Sequence, residues 1–212
     1  AILDPEDEVI VPSPYWVSYP TMVELAGGKP KIVTCGGETD FKLTPALLEK
    51  AITPKTKALL LNSPSNPTGA EYSKSELTDI AKVLKDHPNI VIISDDIYNQ
   101  LSFCEEALSP HILNVEPTFF DRTICINGMS KAYAMTGWRI GYIGAPTWIA
   151  RACNKMQGQI TSGANCIAQR AVIKALEAPV SEISYMVDTF KKRRKLIIDL
   201  LNTIEGFVTT EP

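Results

Sequence analysis

Short apolar runs alternate with helix-period segments along this chain of 212 residues, and that alternation constrains the fold more than any other feature. Segments 9–11, 31–35, 58–61, 90–94, 123–127 and 140–144 are aliphatic or β-branched and bounded by Pro, Gly, Asn or Asp, as strands buried on both faces are. Between them, Thr44 stands as an N-cap before Pro45 at a first helical position, which predicts a helix to about residue 52. Ser73-Lys74-Ser75-Glu76 has the capping-box pattern, and Leu77, Ile80, Ala81 and Leu84 line one face of a helix over 73–85. Strand–helix–strand repetition with continuous apolar strands predicts an α/β fold: a mostly parallel sheet with helices on both faces. From Thr147 the pattern is nearly all helical through Leu201, interrupted near Pro179. Residues 1–3 look like the tail of a helix and 206–210 like a strand beginning, so the chain reads as incomplete at both ends.

Charge and cysteine usage narrow the function classes. Lys and Arg number 21 against 24 Asp and Glu, a formal charge of −3, where a dedicated nucleic-acid binder carries a basic footprint. The one basic run, Lys191-Lys192-Arg193-Arg194-Lys195, wraps around a helix instead of lining one face, the pattern of a solvated helix. No apolar run approaches the roughly 18 residues of a membrane span, so no membrane partner is expected. Cys35, Cys104, Cys125, Cys153 and Cys166 form no C-x-x-C pair, and His87 and His111 are the only histidines. That set reads as reduced thiols of a cytoplasmic protein without a metal site.

In sheets of this kind ligands sit beyond the carboxyl ends of the strands. Those ends carry Pro12-Ser13-Pro14-Tyr15-Trp16, Asn62-Ser63-Pro64-Ser65-Asn66-Pro67-Thr68-Gly69, Asp95-Asp96-Ile97-Tyr98 and Gly128-Met129-Ser130-Lys131. Neither G-x-G-x-x-G nor G-x-x-x-x-G-K-[ST] occurs, and G-x-S-x-G is absent too. Lys131 lies just past an apolar strand among small and apolar residues, a setting that favours the neutral amine needed to attack a carbonyl. Eight residues on, Arg139 offers a planar, permanently charged fork suited to a phosphate. Each of these residues taken singly has a plain structural reading: a snorkelling lysine, an ion-paired arginine, a turn, or a core aromatic with a satisfied polar tip.

Together they resemble the class I/II pyridoxal-phosphate-dependent aminotransferases of fold type I, in the branch of the aspartate aminotransferases. Residues 128–141 resemble the cofactor-attachment motif, 62–69 the N-x-x-N-P-T-G loop, 94–98 the S-D-E-I-Y stretch and 12–20 the P-x-P-x-W/Y-x-x-Y segment, in the family's order. The resemblance covers the central part of the family's chain. It implies a cofactor-domain core over 1–178 and a helix over 179–212 leading toward a C-terminal small domain. It also implies that Lys131 forms a Schiff base with pyridoxal 5'-phosphate and shuttles the substrate proton. Asp95 would keep the pyridine nitrogen protonated and the ring a good electron sink. Tyr98 and Asn66 would hydrogen-bond the ring oxygen, Trp16 would stack on the ring and Arg139 would bind the phosphate. Ser13-Pro14 and Asn66-Pro67 match the family's cis-proline positions. The implied reaction is ping-pong transfer of an amino group from an amino acid, aspartate or glutamate first, to a 2-oxo acid, by a cytoplasmic homodimer. A lyase on the same scaffold, or a cofactor-binding sensor domain of a transcription regulator, shares these motifs. Two positions depart from the family pattern: Gly128 stands where many relatives carry a phosphate-binding Ser, and Asp96 where Glu is usual. The family's phosphate-cradling glycine loop and carboxylate-binding arginine have no counterpart in this chain, so its own turnover is expected to be impaired.

Overall fold

Residues 1–104, 108–179 and 181–212 are described by the computed structural model. The elements in chain order are β1 (Glu8–Ser13), α1 (Ser18–Leu25), β2 (Lys29–Thr34), α2 (Pro45–Ala51), β3 (Thr56–Asn62), α3 (Lys74–Lys85) and β4 (Val91–Asp95). They continue with α4 (Ile112–Val115), β5 (Thr123–Gly128), β6 (Gly141–Gly144), α5 (Thr147–Ile160), α6 (Cys166–Glu177) and α7 (Ser181–Leu201). The strands form one sheet in the order β2-β1-β3-β4-β5-β6. β1 to β5 run parallel, and β6 returns antiparallel against β5 at the edge. Strand order reverses between β1 and β3, and the loops leaving those two strands part there to open a crevice.

Strand alternation sorts the side chains into two cores. On one face Ile10, Leu59, Leu61 and Ile92 pack against Leu48 of α2, Leu77, Ile80 and Leu84 of α3, and Ile112 of α4. On the other face Val9, Val11, Ala58, Leu60, Val91 and Ile124 meet Tyr19 and Val23 of α1 and Ile149 of α5. The helix starts follow the sequence signals. Thr44 Oγ1 accepts the Leu47 N–H at 3.3 Å, with Pro45 following it in the first turn. Ser73 and Glu76 close a reciprocal box: the Glu76 N–H donates to Ser73 Oγ at 3.2 Å and the Ser73 N–H to Glu76 Oε2 at 2.8 Å. Arg122 seals the far end of α3. Its guanidinium donates to the carbonyls of Leu84, His87 and Ile90 at 2.7–3.0 Å and lies 4.2 Å from the centre of the Phe119 ring.

All six expected strands are present, each within two residues of its expected ends. The differences have local causes. α1 carries no strong sequence signal. Its Pro20 falls in the first turn, where a missing N–H costs nothing, and Tyr19 and Val23, four apart, are its buried face. The helical stretch after 147 breaks not only around Pro179 but also at 161–165, where Asn165 Oδ1 accepts the N–H groups of Ile167 and Ala168 and starts α6. Val180, at the second break, lies outside the described residues. Residues 1–3 are not helical, and 206–210 form no strand, since no described strand runs beside them to complete a ladder. The basic run is not wholly solvated. Arg194 is half-buried, donates to the Pro212 carbonyl at 2.6 Å, pairs with Glu211 at 3.1 Å and lies 4.4 Å from the centre of the Phe103 ring.

Candidate active site

The carboxyl ends of β1, β3, β4 and β5 bring five of the six expected site residues into one line of contacts. Trp16, just after β1, meets Tyr19 edge to face at 5.5 Å between ring centres. The Tyr19 hydroxyl donates to Asp95 Oδ2 at 2.6 Å, and the Ile97 N–H to Asp95 Oδ1 at 3.2 Å. Asn62, the last residue of β3, donates from Nδ2 to the Asp95 carbonyl at 2.9 Å and accepts the Asn66 N–H at 2.8 Å. Asn66 Nδ2 in turn donates to the Tyr98 hydroxyl at 3.5 Å. Lys131, from the loop after β5, holds its Nζ 5.5 Å from the centre of the Tyr98 ring. Parallel pairing of Asn62 with Asp95 and of Asp95 with Ile126 aligns these strand ends side by side.

Arg139 stands apart from this line. It sits in the left-handed region at φ 55°, is exposed, and donates to the Thr136 carbonyl at 3.0 Å. Gly128 has a packing reason to be glycine: a Cβ there would lie 2.9 Å from the Ile140 carbonyl oxygen and 3.2 Å from Ile97 Cδ1. Any side chain at this position would force β5 and the chain entering β6 apart. The Ser13-Pro14 and Asn66-Pro67 peptides are both cis, as the resemblance implies, and so is Ser63-Pro64, which it did not flag. A cleft of about 1390 Å³ shares Asn66, Tyr98 and the 64–70 loop with the site and is walled on its other side by α7 and residues 210–212.

Asp95 dominates the electrostatics. Burial raises its carboxyl above the usual range and the neighbouring Asp96 charge adds to this, while the Tyr19 hydroxyl and the Ile97 N–H hold it down. Burial likewise pushes the Tyr19 phenol far up, with the Asp95 charge adding, so Tyr19 stays a donor. A half-buried carboxylate held by two donors is one that an N–H⁺ of a ligand ring would stabilise further. Carboxylate, phenol, amide, indole and amine on one crevice are the donor set that a charged, planar, aldehyde-bearing cofactor requires, so the residues present fit pyridoxal phosphate.

Tyr19 and Asn62 were not singled out by the sequence reading, although both join the site. The W-x-x-Y spacing carries the signal for Tyr19, since the turn that starts α1 returns a side chain three positions on beside Trp16. Asn62 follows the expected strand 58–61 directly and is the last residue of β3, where a side-chain amide can tie two neighbouring strand ends.

A sheet of this order with this set of strand-end residues is the fold of the fold type I aminotransferases. The chain belongs to the class I and II aminotransferases, whose family model matches residues 1–212, and members of that family use pyridoxal phosphate. An aspartate/prephenate aminotransferase of Cereibacter sphaeroides is 49% identical over 213 residues, covering 100% of this chain and 53% of that relative. A bifunctional aspartate aminotransferase and glutamate/aspartate-prephenate aminotransferase of Petunia hybrida is 44% identical, again over the whole of this chain but 44% of that relative. Among solved structures, the aspartate aminotransferase of Rhizobium meliloti superimposes with a TM-score of 0.93 at 43% identity, over 96% of this chain and 51% of that one. The chain thus spans about half the length of the relatives it matches.

Proposed function

We propose that this chain forms the cofactor-binding core of an enzyme that moves an amino group between an amino acid, aspartate or glutamate first, and a 2-oxo acid, in ping-pong fashion. The observation that carries the proposal is the unbroken line of contacts from Trp16 through Asp95 and Asn66 to Lys131. Bound there, pyridoxal phosphate supplies an aldehyde that condenses with amines and a ring that accepts the electrons of the substrate α-carbon. Lys131 would hold the cofactor through its amine and, once freed, would serve as the base for the substrate α-proton. Asp95, held by the Tyr19 hydroxyl and the Ile97 N–H, would keep the proton on the ring nitrogen. Asn66 and Tyr98 would offer an amide and a phenol to the ring oxygen, Trp16 would cover one ring face, and the exposed Arg139 guanidinium would bind the phosphate. We further propose that the whole protein acts as a homodimer.

The test is spectroscopic. The whole protein loaded with pyridoxal phosphate and mixed with aspartate or glutamate should lose the absorbance of lysine-bound cofactor and gain that of its amine form. A 2-oxo acid should then restore the first band. A cofactor band that neither amino acid alters would refute transamination.

A further inference from the structure

Behind Asp95, on the opposite face of the sheet, lies a second polar cluster that the proposed reaction does not use. Asp96 is 9% exposed. Its Oδ1 accepts the Ser94 hydroxyl at 2.7 Å, and its Oδ2 lies 3.3 Å from His111 Nε2. That same nitrogen is 3.5 Å from Cys125 Sγ, on the β5 residue paired with Ser94. The other ring nitrogen, Nδ1, accepts the Leu113 N–H at 3.1 Å, so His111 is also the N-cap of α4.

Three donors of oxygen, nitrogen and sulfur within 4.8 Å could hold a metal ion. The wiring of His111 argues otherwise. A metal-bound imidazole gives its remaining N–H to an acceptor. Here the remaining nitrogen faces a donor, the Leu113 N–H, so a cation on Nε2 would set two N–H groups against each other. With Nδ1 committed as an acceptor, the ring proton belongs on Nε2, between Asp96 and Cys125.

We propose that His111 is a positioning residue: its Nε2–H holds the Asp96 carboxylate on the back of the sheet and so keeps the Asp95 carboxylate, one residue earlier, aimed into the crevice. The inference rests on the reading of Asp95 as the partner of the cofactor nitrogen. Two adjacent carboxylates at one strand end repel, and each acts on the other's proton affinity. Strand alternation sends them to opposite faces, but Asp96 follows the last residue of β4, where side-chain anchors and its own N–H bond to the Ile126 carbonyl at 2.8 Å must keep it there. Ser94 occupies one Asp96 oxygen and His111 the other. The titratable groups around the two carboxylates are Tyr19 from α1, Tyr98 from the loop after β4, His111, Cys125 from β5 and Tyr142 from β6.

The experiment compares His111→Ala, His111→Gln and Asp95→Asn with the unaltered protein. It measures the dissociation constant for added pyridoxal phosphate and, without cofactor, the Asp95 carboxyl titration by carbon-13 NMR. Gln places an amide near the position of Nε2, so it should preserve both readouts. Ala should raise the Asp95 midpoint and weaken cofactor binding about fivefold, the effect of one hydrogen bond. An Asp95 titration that Ala leaves in place, or Gln behaving no better than Ala, would overturn the proposal. If His111→Ala does not fold, His111→Asn replaces it, because its amide sits at the Nδ1 position and cannot reach Asp96. Unchanged cofactor binding in Asp95→Asn would defeat the reading of Asp95 itself, whereas the NMR arm still decides on His111. Stoichiometric binding of added zinc ion that His111→Gln abolishes would give the cluster to a metal and refute the positioning role.

Discussion

Along β1, β3, β4 and β5 the sheet is covered on both faces, and Ile10, Leu48, Leu59, Ile80, Leu84 and Ile92 are fully enclosed. From β6 to α7 the packing is of another kind. All four residues of β6 are exposed, α5 buries Ile149 and α7 buries Ile183, while Trp148, Met156, Ile160, Tyr185 and Leu200 stand in the open. Both regions obey the same local rules of capping and periodicity, so local signals do not explain the difference. Burial does, and burial is what stabilises helices too short to stand alone. The contacts that build the candidate site issue from the first region, where the strand ends are fixed from both sides. Lys131 leaves the last strand of that region, and Arg139, already in the exposed one, is the site residue that reaches none of the others.

Substitutions can break or sharpen this contrast. The largest effect is expected in the enclosed core: Leu59→Ala should cost about 2–5 kcal/mol of unfolding free energy. Leu200→Ala, at a side chain on a residue 54% exposed, should stay within about 0.5 kcal/mol. Urea titration reads both, and equal losses would erase the distinction. Arg122→Ala strips three carbonyls of a shared charged donor and should cost about 2 kcal/mol by the same assay, with Arg122→Lys recovering only part because an amine lacks the fork. Ser73→Ala opens one capping box and should cost about 1 kcal/mol.

The smallest effect is a pH slope. Burial pulls the Glu76 carboxyl up, but Lys42, in contact at 2.6 Å, and the Ser73 bonds outweigh it and hold the group below the ordinary glutamate value of 4.5. Its folded form therefore prefers the carboxylate: the contribution is complete above that value and fades as pH falls through the lowered one. Stability measured down the acid range should lose part of its slope in Glu76→Gln. An unchanged slope would mean that the half-exposed pair contributes nothing measurable.

What the sequence disclosed follows the same division. β-branched runs bounded by Pro, Gly and Asn mark strands wherever both faces are covered, and Thr44 and Ser73 mark helix starts because their bonds are local. Asp95, Tyr98, Asn66, Trp16 and Lys131 were legible because they leave strand ends in recognisable segments. Tyr19 was not, because its role comes from a hydrogen bond to a residue 76 positions away. Likewise, nothing in the spacing of His111 and Asp96 announces that α4 carries one back to the other. The break at 161–165 was missed because an Asn cap within an apolar-periodic stretch reads as continuous helix.

Lys131, at the end of the line from Trp16 through Asp95, is the residue proposed to bind the cofactor covalently. Borohydride reduction of the protein incubated with pyridoxal phosphate, followed by peptide mass spectrometry, tests it most directly. The account predicts a phosphopyridoxyl group on Lys131 that Lys131→Ala abolishes and Asp95→Asn diminishes. Label spread over surface lysines, with Lys131 unmodified in folded protein, would contradict it.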